Sequence, residues 1–115
     1  MSETAAAHVI GAGGLKLRSA RHMEDHYIDV SGELDIASAE ALDAEVARVE
    51  ATDANRIVVD LAGLDFMDST GLHVLLALNT RSQDNGHRLR LRRPSPAVDR
   101  VLQITRADRM LPFID

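Results

Sequence analysis

One segment limits the architecture of this chain more than any other. Arg56-Ile57-Val58-Val59-Asp60-Leu61 is a short run rich in β-branched apolar residues, and it is soon followed by a stretch that is almost wholly apolar up to Asn79. Consecutive β-branched residues suit a strand covered on both faces. The later stretch has helical spacing: Leu72, Leu75, Leu76 and Asn79 share one face, and Val74, Ala77 and Leu78 broaden it. A helix this apolar must pack tightly on a sheet. Gly63 marks a turn between the two, and Leu64, Phe66 and Met67 are expected to close against the core. Asp68 or Ser69 caps the helix start, and Gln83-Asp84-Asn85-Gly86 reads as its stop.

The flanking residues extend this pattern. Leu15 and Leu17 alternate with polar residues, as do Tyr27-Ile28-Asp29-Val30, predicting two strands joined as a hairpin across the charged turn Arg21 to Asp25. The second of these strands ends at Ser31-Gly32. A helix follows, with Ser38 as N-cap, Ala39, Leu42, Val46 and Val49 facing inward, and Glu40, Asp43, Glu45 and Arg48 facing solvent. Leu89 and Leu91 alternate with arginines in a further strand near an edge. Ser95-Pro96 opens a third helix striped by Val98, Val101 and Leu102, and Met110 to Ile114 could form a last short strand. Strands alternating with helices of this length predict an α/β domain: a central mixed sheet of four to five strands with helices packed against it. Residues 1–14, small and glycine-rich, read as a flexible N-terminal arm before a domain at 15–115.

Composition removes several classes of function. At 115 residues the chain has the size of one domain. It contains no cysteine, so neither a disulfide framework nor a thiolate metal site is available. A net charge of −5 argues against binding nucleic acid through its phosphates, and 3% aromatic content against stacking platforms for single strands. No apolar run approaches the ~20 residues that cross a bilayer, and Met1 to His8 lacks the pattern of a signal peptide. The expectation is a cytoplasmic protein with no membrane segment, no metal and no cofactor.

The sharpest motif is Phe66-Met67-Asp68-Ser69-Thr70-Gly71-Leu72, where a buried strand runs into an apolar helix. The first N–H groups of a helix have no intrahelical partner and lie at the positive end of its dipole. A phosphate on Ser69 is expected to meet those donors directly. Gly71 removes bulk, letting another protein's active site approach the hydroxyl, and Asp68 sets a carboxylate beside it. The plainer reading is that Asp68 and Ser69 are ordinary helix caps.

Three stretches carry a family resemblance: Val30-Ser31-Gly32-Glu33-Leu34-Asp35; Val58-Val59-Asp60-Leu61 through Phe66-Met67-Asp68-Ser69-Thr70-Gly71-Leu72; and Leu89-Arg90-Leu91 with Pro94-Ser95-Pro96-Ala97-Val98 and Val101-Leu102. They resemble the STAS domains, within them the single-domain anti-sigma factor antagonists, and with the matching order of strands and helices the resemblance covers about residues 15 to 114. The resemblance implies a regulator that acts by binding, not by catalysis. In its unphosphorylated form it binds an anti-sigma factor that is also a serine kinase, which frees the sigma factor. The kinase, which holds the ATP, then phosphorylates Ser69 (alternatively Thr70) and the complex separates; a PP2C-type phosphatase reverses the step. The resemblance places Gly32, Glu33, Asp35, Met67, Asp68, Thr70, Gly71 and Leu72 on the partner surface. Read from the residues alone, Asp35 is equally a turn residue bonding its own backbone, and Phe66 is better suited to the core than to a partner.

Two other functions fit parts of the sequence: a non-switching STAS interaction module of a transporter or signalling assembly, and a serine hydrolase using Ser69 with His73. The hydrolase lacks the Gly-x-Ser-x-Gly frame. His8 to Gly14 resembles a dinucleotide-binding turn but has Lys16 where the third glycine belongs. His22 and His26, spaced four apart, complete no zinc pattern and read as solvated surface.

Overall fold

The structure is a computed structural model that describes residues 7–114. The elements run β1 (His8–Ala12), β2 (Leu15–His22), β3 (Asp25–Leu34), α1 (Ala39–Glu50), β4 (Arg56–Met67), α2 (Ser69–Gln83), β5 (Leu89–Arg92) and α3 (Pro96–Ile104), then a single 3₁₀ turn at Ala107–Arg109. The five strands lie in sequence order in one mixed sheet, β1-β2-β3 antiparallel and β3-β4-β5 parallel. Both parallel crossovers step the same way along the sheet. Right-handed crossovers that do so place their helices on one face, and one core cluster accordingly joins Leu15, Leu17, Ile28, Val30, Ile57, Val59, Leu61, Leu89 and Leu91 to Leu42, Val46, Leu75, Leu78, Val98 and Leu102. Arg81 of α2 ties the two crossover helices together, reaching Asp43 and Glu50 of α1 at 2.7 Å each.

Residues 8–14, expected in a flexible arm, instead form β1 and its turn into β2, with Ala12 opposite Leu15. The rest of that arm, residues 1–6, and the final residue of the expected domain, Asp115, lie outside the described residues. At the other end of the chain, Met110 to Ile114 contributes only one bridge, Phe113 beside Leu91, rather than a strand.

β4 runs past Gly63, the expected turn, as far as Met67 because it carries two irregularities. From Asp29↔Asp60 to Ser31↔Gly63 it advances three residues against two on β3, and from Gly32↔Leu64 to Glu33↔Phe66 two against one. Each extra residue is a bulge that reverses which face the subsequent side chains take. Leu64 and Met67 therefore point inward, while Phe66, expected in the core, is 49% exposed.

Two further expectations are corrected between sheet and α1. Glu45 and His26, both read as solvated, are buried together with Ser19. Ser19 Oγ lies 2.7 Å from His26 Nε2, and Arg48 holds Glu45 through one edge of its guanidinium, Nε at 3.0 Å and Nη2 at 2.6 Å. Burial pushes the Glu45 carboxyl up, but bonds from Arg48 and Ser19 outweigh it and hold the group below its ordinary range. Burial lowers the His26 imidazole, and the nearby Arg48 charge adds to this.

Candidate functional site

The site forms where β3 and β4 end side by side. Glu33 pairs with Phe66 and Leu34 with Met67, so the turn after β3 and the start of α2 leave the sheet as neighbours. Gly32 makes this possible: its φ is +94°, and any Cβ there would collide with the carbonyl oxygen of Gly14. Its left-handed backbone sets the course of the chain at this end of β3.

Asp68 is the N-cap of α2. Its Oδ1 accepts from the backbone N–H of Thr70 at 3.0 Å and of Gly71 at 3.1 Å. These are the donors that a phosphate on Ser69 was expected to meet, and they are already taken. Ser69, first residue of α2, is exposed, and among the described residues its hydroxyl makes no hydrogen bond. Thr70 is half-buried. Gly71 is buried, and its missing side chain faces inward: a Cβ would come within 2.7 Å of both the Leu34 carbonyl oxygen and Met67 Cγ. It lets α2 close on the end of β3; it does not clear space around the hydroxyl. Met67, which the resemblance puts on the partner surface and the apolar pattern in the core, is core at 5% exposure, and Leu72 is half-buried against that core.

Asp35 organises the turn beside Ser69. Its Oδ1 accepts from Ala37 N–H at 3.0 Å, and its carbonyl accepts from the N–H of Ser38 and Ala39. Ser38 stands at the N-cap of α1 but does not cap the helix with its side chain. Its buried hydroxyl instead donates to the Glu33 carbonyl at 2.8 Å and accepts from Asp35 N–H at 3.1 Å. The turn is thus pinned from both ends, and it holds out Ile36 at 82% exposure. Ile36 and Phe66 are the residues that sequence reasoning missed. The signal for Ile36 was a lone large apolar residue in a turn between two capping residues; the signal for Phe66 was hidden by the bulges.

The segments that end side by side here thus carry an exposed hydroxyl at Ser69, exposed apolar side chains at Ile36 and Phe66, and carboxylates at Glu33, Asp35, Asp65 and Asp68. Among the described residues no hydrogen bond joins Ser69 to His73, and no group of three or more His, Cys, Asp or Glu side chains is placed to hold a metal ion. No described helix is long and apolar enough to cross a membrane.

The STAS domain model matches residues 18–115. The chain belongs to the STAS domain family. Its fold is that of a STAS domain, and curated relatives are regulators by name. The anti-sigma-F factor antagonist RsfB of Mycobacterium tuberculosis is 32% identical over 54 residues, 47% of this STAS domain chain and 44% of RsfB. The chain thus spans less than half the length of the curated relatives it matches. A crystal structure of an anti-sigma factor antagonist from Mycobacterium paratuberculosis superposes with a TM-score of 0.74 at 27% identity, covering 86% of this chain and 84% of that one. The phosphorylated form of the Bacillus cell fate determinant SpoIIAA shares the fold, with a TM-score of 0.60 at 23% identity over 96% of this chain and 90% of that one.

Proposed function

We propose that this STAS domain is an anti-sigma factor antagonist that works by switching partners. Unphosphorylated, it binds an anti-sigma factor serine kinase and so releases the sigma factor. The kinase, using its own ATP, phosphorylates Ser69, and binding ends until a PP2C-type phosphatase removes the group. The observation that carries this reading is the exposed, unbonded Ser69 hydroxyl at the head of α2, on the same end of the sheet whose segments also leave Ile36 and Phe66 exposed. The names of RsfB and of the Mycobacterium paratuberculosis protein support the same reading.

The physics is direct. Large apolar side chains standing in water gain by entering a partner's pocket, and the carboxylates around them favour a partner with a basic rim. A phosphate adds about −1.5 to −2 charge at pH 7. Placed under a docked partner beside Asp68, whose carboxylate already occupies the helix N–H groups, that charge would be buried without a counter-charge, at a cost of several kcal/mol. Each ~1.4 kcal/mol is tenfold in affinity, so release by about a thousandfold needs no refolding.

The test uses purified protein with candidate kinases and ATP, and mass spectrometry to place the phosphate. Ser69→Ala should bind the kinase and take no phosphate at that position; Ser69→Asp should bind more weakly. Phosphate incorporation undiminished in both Ser69→Ala and Thr70→Ala proteins would overturn the assignment.

A further inference from the structure

The strand that sequence reading missed forms an edge of the sheet with no partner among the described residues, and that edge fits a copy of itself. β1 is joined to β2 by the two residues Gly13-Gly14, with Ala12 and Leu15 closing the hairpin and a positive φ, 58°, at Gly13. In a two-residue hairpin the closing pair exchanges both of its hydrogen bonds, and pairs then alternate along the ladder. His8, Ile10 and Ala12 therefore turn their N–H and C=O groups toward β2. Val9 and Gly11 turn theirs outward, where no strand of the described residues lies. This outer edge has none of the usual protection: β1 contains no proline, no lysine and no acidic residue, and His8 is its one titratable side chain.

The five residues are also matched about their centre. Two antiparallel copies of β1 in full overlap place Val9 opposite Gly11 of the other copy, and Gly11 opposite Val9. All four are outward-facing residues, so the pairing closes four backbone hydrogen bonds. Ile10 then meets Ile10 across a non-hydrogen-bonded pair, where side chains approach most closely. Ile10 is partly buried against the core of its own copy, and the second Ile10 would cover the part left open. On the opposite face Val9 is 54% exposed, and a Cβ at Gly11 would meet nothing within 4 Å, which leaves room for the Val9 side chain of the second copy. With no acidic, lysine or arginine side chain in the strand, self-pairing meets no like-charge repulsion between fixed charges.

We propose that β1 is a self-association edge, through which two copies of this domain join antiparallel about Ile10 into one continuous ten-stranded sheet. The inference is independent of the reading of Ser69. A contact this small populates the dimer only at high concentration, so the experiment is sedimentation equilibrium up to about 1 mM. The expected result is a mass that rises from 12.5 kDa toward twice that value. Val9→Pro removes an outward N–H without touching the β1–β2 ladder, and edge positions tolerate proline. It should hold the mass at the monomer value, with circular dichroism confirming that the variant is folded. As a measurement that needs no variant, a mixed sample of carbon-13-labelled and unlabelled protein should give filtered Overhauser contacts between Ile10 methyl groups of different copies. A wild-type protein that stays monomeric over this range would overturn the proposal. So would a Val9→Pro protein that dimerises as well as wild type, or a dimer lacking the Ile10 contacts, either of which places the interface elsewhere.

Discussion

Two residues at the start of α2 do more to shape the site than the serine between them. Gly71 sits where a single added carbon would meet a backbone oxygen and a core side chain. Overpacking of this kind costs about 1–3 kcal/mol, so Gly71→Ala should lower the urea midpoint by that equivalent and shift the amide resonances of Leu34 and Met67. Asp68 satisfies two orphan N–H groups. Asp68→Ala should cost about 1 kcal/mol of stability in the same assay, whereas Asp68→Asn, which keeps an accepting oxygen, should cost less. The cap reading and the switch reading of this motif are therefore compatible on the same few atoms: the carboxylate serves the helix, and the hydroxyl beside it is left over for a partner.

At the scale of elements, the turn between β3 and α1 is held by a hydroxyl that reads in the sequence as a helix cap. Ser38→Ala would leave the Glu33 carbonyl and the Asp35 N–H without their bond to it. Unmade bonds at a buried site cost about 1–3 kcal/mol. Faster hydrogen exchange at Asp35 and weaker binding of the partner, through a looser Ile36, are the expected outcomes. The three helices, the hairpin and the two parallel strands were legible because their apolar residues recur at the right period. β1 was not, because Gly11 and Ala12 blur its short period, and the Gly13-Gly14 pair that closes a hairpin looks like slack chain. The outward turn of Phe66 was not legible either. Counting by twos from Leu64 puts Phe66 inside, and only pairing with β3 reveals the bulge at Asp65 that turns it out and leaves Met67, as expected, against the core. Glu45 was missed for a third reason: a charged side chain reads as solvated until the chain folds Arg48 and Ser19 against it.

For the molecule as a whole, that buried polar group sets the response to acid. The His26 imidazole is lowered from its ordinary value of 6.5, so the unfolded chain binds a proton before the folded one does. Stability is therefore full above that ordinary value and falls as the pH drops below it. Glu45, held below its ordinary 4.5, contributes stability above that value and loses it as the pH falls further. Urea unfolding across about pH 5 to 7 should show a falling midpoint toward acid in wild type and a flatter profile in His26→Gln. An equal slope in both would remove His26 as the cause.

The occupied amides at the head of α2 have a consequence for how long a signal lasts. Thr70 and Gly71 have no amide left to clasp a phosphate on Ser69, so such a mark would stand out toward water, as easily erased as written. The duration of the message would then be decided by the enzymes that visit it, and the domain itself would keep no clock.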